Sequence, residues 1–230
     1  MLAYESSKGV FHVKHRENQT SAMSQAAGDR IDATSLGLVA RNRLSAFAGL
    51  LSRWNPTIKL VSNQDIPHLW TRHIDDALQL IQYMPPAATH AIDLGSGGGF
   101  PGLVLALATE IHVDLIESDS RKAAFLQEVV TITNAHATIH ASRIEDIALE
   151  SRVLVTARAL APLPKLLELC QPFLAEGGVC LFPKGERADS EIAEACKDWI
   201  MDLQQMPSRT SPAGRILRIT GLRRRASETL

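Results

Sequence analysis

The chain has 230 residues, 45 % hydrophobic and 5 % aromatic, with 24 Lys plus Arg against 25 Asp plus Glu and a net charge of -1. That apolar content supports a real core and excludes a wholly disordered chain, while so few aromatics exclude a broad base-stacking platform. The balanced charge gives no overall pull toward nucleic acid, so any RNA contact must come from a local patch.

Residues 1–30 are polar without a clear period and read as a mobile tail. Within it, Phe11 to His15 (FHVKH) places two His beside a Lys, most simply a solvated tail. Phe-His-Val-Lys can also be encoded by TTTCACGTGAAA, which is its own reverse complement. The peptide then has a second reading, as a translated DNA site such as a partition-protein site, and codons that break the palindrome would remove it. Leu36, Val39, Arg43, Phe47, Leu50, Leu51 and Trp54 recur mostly at steps of three and four and predict an amphipathic helix, ended by Asn55-Pro56. A second helix is predicted from about Asp65 to Tyr83, stopped by Pro85-Pro86. Residues 31–88 are therefore expected to be an N-terminal helical subdomain, and residues 89–230 the core.

From His90 strands and helices alternate: AIDLG strand, PGLVLALA helix, HVDLIE strand, RKAAFLQEVVTIT helix, ATIHAS strand, RVLVTAR strand, LPKLLELCQPFL helix, GVCLFPKG strand, SEIAEACKDWIMDL helix and RILRITGL strand. Such alternation predicts an α/β fold, a mostly parallel sheet with helices on both faces. The register between Gln204 and Gly214 is left open.

Cys170, Cys180 and Cys196 are odd in number and have no C-x-x-C spacing, which argues against a disulfide framework or a zinc site. A reducing compartment suits that pattern, and no metal is expected. No apolar run has membrane-spanning length and the N-terminus lacks an apolar signal region, so a cytoplasmic location without membrane contact is expected.

The strongest local signal is Asp93 to Gly102 (DLGSGGGFPG), between the first core strand and its helix. Glycines there let the backbone take φ > 0 and let a ligand approach the main chain. The carboxyl end of a strand at a switch point is where open α/β sheets bind ligands. Gly95 and Gly97 also satisfy the start of a dinucleotide fingerprint, so a plain tight turn and an NAD(P) site remain as readings. Asp93, two positions before the first glycine, favours S-adenosylmethionine: a carboxylate suits the ligand's amino acid end, directly or through water, and repels a pyrophosphate. Glu117, closing the second strand, can accept from both ribose hydroxyls of either nucleotide.

Ser142-Arg143-Ile144-Glu145-Asp146 follows the third strand and can reach an adenine ring, with Ile144 over its face. It also reads as a helix start with Ser142 as cap and Glu145 at the capping-box position. Arg158, after the fourth strand, stands where donor and substrate should meet, or makes a structural pair. His73 and Asp76, three apart on one helical face, either touch the site or tie the N-terminal helices to the core. Arg215, Arg218, Arg223, Arg224 and Arg225 form a basic C-terminal stretch, either a solvated terminus or an RNA contact.

With these residues in hand, the chain resembles the RsmG (GidB) family of 16S rRNA guanine-N7 methyltransferases over most of Leu36 to Gly185. Trp54-Asn55 with Lys59-Leu60-Val61 resembles W-N-x-x-x-N-L-T; Arg72-His73-Ile74-Asp75-Asp76 resembles R-H-x-x-D-S. Asp93 to Gly102 resembles D-[IVL]-G-[ST]-G-x-G-F-P-G, and its Phe-Pro-Gly ending is the most specific part. Arg143-Ile144-Glu145 resembles R-x-E, Thr156-Ala157-Arg158-Ala159 the S-R-A segment, and Pro183-Lys184-Gly185 the late L-K-G. Lys59, Val61 and Ala77 depart from the pattern without touching the glycine loop.

The resemblance implies a Rossmann-like class I methyltransferase with a seven-stranded sheet and an N-terminal helical extension. It implies S-adenosylmethionine as cofactor, held by Gly95, Phe100, Ile144, Glu145 and Arg158. Its implied substrate is N7 of a guanine around position 527 of 16S rRNA, as naked RNA or in the small ribosomal subunit. The oligomeric state is left open, with a monomer as the default expectation. N7 carries no proton, so Arg158 is expected to position substrate and no general base is expected. Arg143, Lys184, Arg223, Arg224 and Arg225 are the candidate RNA contacts. Two rivals remain. A non-catalytic S-adenosylmethionine-binding RNA module would keep the glycine loop without needing the Arg158 edge. An NAD(P)-dependent oxidoreductase would need an acid/base, and both tyrosines, Tyr4 and Tyr83, lie outside the core.

Overall fold

A computed structural model describes residue 32 and residues 34–226. The tail expectation and the FHVKH segment lie outside these residues. Seven strands form one sheet in the order β3-β2-β1-β4-β5-β7-β6. They are β1 (His90–Leu94), β2 (His112–Ile116), β3 (Ala137–His140), β4 (Arg152–Ala157), β5 (Leu174–Lys184), β6 (Trp199–Pro207) and β7 (Arg215–Arg224). The first five pair in parallel, and β7 runs antiparallel to both β5 and β6. The chain runs outward from β1 through β2 to β3 and restarts on the other side at β4. The crevice between the carboxyl ends of β1 and β4 is therefore the switch point, where such sheets bind ligands.

The period-two alternation of the strands divides the core. Ala91, Val113, Leu115, Leu154, Leu181 and Ile216 face one side, against α1 (Leu38–Ile58), α2 (Asp75–Leu78), α3 (Gly102–Ala108) and α4 (Ser120–Thr133). Ile92, Leu94, Val155, Ala157, Phe182 and Leu217 face the other, against α5 (Leu163–Cys170) and α6 (Ala188–Asp198). The apolar residues of α1 thus share one core with α3 and α4. Phe47, fully buried on α1, packs its ring 5.4 Å from Phe100 and 6.3 Å from Phe125. Full burial of such a side chain contributes about 1.5–3 kcal/mol.

Three expectations are corrected. Asn55-Pro56 does not end α1: the helix continues to Ile58 and stops at Lys59 in the left-handed region (φ 45). Proline removes only the bond to the Ser52 carbonyl, and Ser52 is exposed, so water can take that carbonyl. Buried Asn55 then ties down the exit, accepting from the Val61 amide and donating to Asn63 Oδ1.

The continuous helix over 65–83 is instead a 3-10 turn at Asn63–His68 around Pro67, a π turn at Trp70–Ile74, the short α2, and a 3-10 turn at Ile81–Tyr83. π turns re-aim side chains and cluster at functional sites. The predicted helix through Leu203 ends at Asp198, and Trp199–Pro207 is a strand. Its apolar pattern suits both periods, and pairing with β7, with Trp199 buried at the sheet, decides for the strand.

Candidate active site

The glycine loop leaves β1 and enters α3. Gly95 (φ 65), Gly97 (φ 55) and Gly99 (φ 94) all take left-handed backbone, which only glycine adopts freely. Glu117, just beyond β2 and 7 % exposed, holds the loop from the side. Its Oε2 accepts from the Gly97 amide (2.8 Å) and its Oε1 from the Asp119 amide (2.7 Å). Each oxygen keeps a further lone pair.

Beside the loop lies a cavity of about 220 Å³ whose lining includes Gly95, Ile116, Ser118, Ser142, Ile144 and Glu145. Ile144–Asp146 is a single 3-10 turn, so the predicted start of a longer helix is not realised. Arg143 is 70 % exposed at its side chain and lies 3.8 Å from Glu145. A bare main-chain wall at Gly95, an apolar side chain at Ile144 and the Glu145 carboxylate, with Glu117 holding the loop beside them, fit a nucleoside, and so fit S-adenosylmethionine.

Asp93 lies beneath the loop. It is fully buried, accepts from Thr156 Oγ1 at 2.6 Å, and lies against Gly102, where an added Cβ would sit 2.4 Å from Asp93 Cβ. Burial pushes its carboxyl up to about 6, against the lowering effect of the Thr156 and Ser96 hydroxyls. Its Oδ2 has no hydrogen-bond partner of good geometry. The side chain braces β1 against β4 and the start of α3.

Arg158 follows β4, and Ala159 after it takes a left-handed φ of 55. Such backbone in a residue with a Cβ is strained and collects at functional sites. The guanidinium is held from three directions. It donates to Asp76 Oδ2 (3.2 Å) and to His73 Nδ1 (2.8 Å), and its Cζ lies 5.0 Å from the Phe100 ring centroid.

Because His73 accepts through Nδ1, its proton is on Nε2, which faces Asp65 at 3.4 Å. Burial and the neighbouring Arg158 charge push the His73 pKa down, which favours this neutral form. Asp76 Oδ1 meanwhile accepts from Thr210 Oγ1 (2.6 Å) and Gln79 Nε2 (2.7 Å). The pair thus anchors Arg158 and joins the N-terminal turns to the β6–β7 connection. Sequence reasoning left this role open; the R-H-x-x-D-S-like segment held the signal, and the π turn supplies the geometry. The packing of Thr156 and Gly102 on Asp93 was not legible in their motifs, and Leu160 escaped the sequence reading altogether.

A second, larger cleft of about 810 Å³ opens beyond Arg158, its lining including Asp76, Lys184, Glu186, Arg187 and Arg215. Leu160 and Ala161 line both cavities, so the two adjoin immediately after Arg158. Lys184 is 9 % exposed at its side chain, paired with Glu191 (2.9 Å) and donating to the Ala161 carbonyl (2.7 Å). It therefore shapes the cleft wall. Arg224 lies over the Trp199 ring and 3.7 Å from Glu168, Arg225 donates to the Cys196 carbonyl, and Arg223 is exposed on β7.

A glycine loop at the switch point of this sheet, with a pocket that fits a nucleoside beside it and a larger cleft adjoining, points to the class: a Rossmann-like S-adenosylmethionine-dependent methyltransferase. Solved structures share the fold. An N-methyltransferase NodS from Bradyrhizobium japonicum in complex with S-adenosyl-L-homocysteine aligns with TM-score 0.53 at 15 % identity, covering 76 % of this chain and 97 % of that one. A TehB-like methyltransferase from Corynebacterium glutamicum aligns with TM-score 0.54 at 14 % identity, covering 77 % and 98 %.

The chain belongs to the GidB family, described as rRNA small subunit methyltransferase G, which matches residues 40–215. Proteins called ribosomal RNA small subunit methyltransferase G are similar to it. That of Gluconobacter oxydans is 49 % identical over 191 residues, covering 83 % of this chain and 98 % of its own. That of Acidiphilium cryptum is 50 % identical over 210 residues, covering 89 % and 95 %. The family sets the oxidoreductase reading aside.

Proposed function

We propose that the chain transfers a methyl group from S-adenosylmethionine to N7 of a guanine in 16S rRNA, around position 527. The observation that supports this is Arg158: clamped by His73, Asp76 and Phe100, it lines the larger cleft, which adjoins the loop-side cavity at Leu160 and Ala161. When bound, the cofactor supplies an electrophilic methyl on a sulfonium. Glu117 accepts from the ribose hydroxyls, Ile144 covers the adenine face, and the Gly95 backbone leaves room for close approach. Arg158 directs its guanidinium at the guanine O6 edge or an adjoining phosphate.

Guanine N7 is an unprotonated acceptor on the major-groove edge, so no residue has to remove a proton. Asp93, buried behind the loop, is not needed as a base. Catalysis then rests on placement: a clamped arginine loses little freedom when substrate arrives. The base enters the cleft unstacked. Arg143, Arg223, Arg224 and Arg225 are further candidate RNA contacts, and Lys184 supports the cleft wall. The protein acts as a monomer in the cytoplasm; no helix among the described residues is long and apolar enough to cross a membrane.

The test is transfer of labelled methyl from S-adenosylmethionine to small subunits lacking the modification. Label in the 16S rRNA, lost with Arg158→Ala, is the expected result. Cofactor binding with no label in RNA would overturn the enzyme reading in favour of a binding module.

A further inference from the structure

We propose that the outer face of α1 is an RNA-docking surface that holds the phosphodiester backbone flanking the target guanine. The inference rests on the RNA-methyltransferase reading above. From Thr34 to Gln64 the chain carries four cations, Arg41, Arg43, Arg53 and Lys59, and no Asp or Glu, although acids slightly outnumber bases overall. Arg41, Arg53 and Lys59 are exposed and Arg43 is half-buried. Among the described residues none of the four side chains has an ion pair or hydrogen bond.

Many cations elsewhere are engaged by the protein itself: Arg152 with Glu150, Arg158 with Asp76, Lys184 with Glu191, Arg218 with the Tyr83 carbonyl, Arg225 with the Cys196 carbonyl. Of the C-terminal arginines, Arg218, Arg224 and Arg225 have partners in the fold, whereas Arg41, Arg43, Arg53 and Lys59 have none among the described residues. An uncompensated group of one sign keeps its full field toward a polyanion.

The shape of the face suits a nucleic-acid backbone. Ser45, Gly49 and Ser52 lie between Arg41 and Arg53, all small and exposed, and nothing stands within 4 Å of where a Gly49 Cβ would be. At about 1.5 Å per residue, Arg41 and Arg53 are roughly 18 Å apart along the helix, a span of several nucleotides. The position suits it too. The Leu60 carbonyl beyond α1 sits 3.1 Å from a Cβ built on Gly98 of the cofactor loop. Phe47 of α1 packs on Phe100, which lies under Arg158. RNA that presents a guanine to the cleft can therefore continue across α1.

The experiment compares the full chain with a triple variant, Arg41→Gln, Arg53→Gln and Lys59→Gln. An Arg223→Gln, Arg224→Gln, Arg225→Gln variant serves as reference. Kd for a 16S rRNA fragment carrying the target loop is measured across a salt series, with S-adenosyl-L-homocysteine affinity as control for folding. The α1 variant should bind RNA roughly tenfold to hundredfold more weakly with a salt slope shallower by about two to three. KM for small subunits should rise, with kcat at saturating subunits and homocysteine-nucleoside affinity unchanged. Unchanged RNA affinity and salt slope overturn the proposal. So does a raised subunit KM with unchanged RNA affinity, which would place a protein on this face. If the wild-type chain labels RNA while the α1 variant binds it normally, this inference alone fails; if the wild type labels no RNA, the underlying reading fails with it.

Discussion

Replacing Asp76 by Ala removes the ionic partner of Arg158 while leaving the guanidinium in place. The side chains of Arg158 and Asp76 are 19 % and 13 % exposed, so the pair is partly desolvated. Breaking a buried pair from one side costs about 3–5 kcal/mol, and this residual exposure sets the cost at the lower end, about 3 kcal/mol. For a chain of this size that is a fall in Tm of roughly 6–12 °C. Part of the loss comes from Thr210 and Gln79, which also donate to Asp76, so the pair itself has to be isolated. A double-mutant cycle with Arg158→Met does so, because the double variant leaves no orphaned charge. Its loss should fall short of the sum of the single losses by about 1–3 kcal/mol. In Asp76→Ala the arginine also loses its bearing, and a displacement of about 1 Å should lower kcat roughly 100-fold. Denaturant melts and labelled methyl transfer read the two effects. Additive single-variant losses, or an Asp76→Ala enzyme with wild-type kcat, would refute the clamp.

Glu117→Ala should weaken S-adenosyl-L-homocysteine binding roughly tenfold or more by calorimetry, since the Gly97 amide loses its acceptor along with the proposed ribose contact. Gly102→Ala drives a Cβ to 2.4 Å from Asp93 Cβ inside the core and should cost about 3 kcal/mol in urea unfolding; a wild-type midpoint would contradict that packing. Asp93, at about 6 when folded against a usual 3.8, holds its proton longer in the native state than in the unfolded chain. Stability from this group is therefore greatest below about pH 4 and falls by about 3 kcal/mol as pH rises to about 6, then levels. The stability difference between wild type and Asp93→Asn across that range measures it, and a flat difference would contradict the buried carboxyl.

What the sequence made legible follows from local physics. The alternation from His90 onward specified β1 to β5 and β7, most plainly β1 and β2, where four of five residues are buried. The glycine loop announced itself because left-handed backbone leaves little choice of residue. Glu117, Ile144, Glu145 and Arg158 were legible as the ends of particular strands. Three-dimensional pairing was not. Trp199 to Pro207 satisfies a helical pattern locally, and only β7 makes it a strand. The π turn at Trp70–Ile74 has no sequence period of its own, so the aim of His73 and Asp76 at Arg158 was hidden. The position of Asp93 in the motif is readable, while its burial against Gly102 is not. Lys184 likewise looked free until Glu191, one turn into α6, was placed against it.

In the proposed function, the site at Arg158 methylates one guanine at N7. The most direct measurement is chemical mapping of that base after reaction with small subunits lacking the modification: borohydride reduction and aniline cleavage, which break the chain at N7-methylguanine. A single new, S-adenosylmethionine-dependent cleavage in the 527 region of 16S rRNA, missing with Arg158→Ala, is the expected result. Methyl incorporated elsewhere, at an atom that resists this cleavage, or equally well by Arg158→Ala would contradict the account.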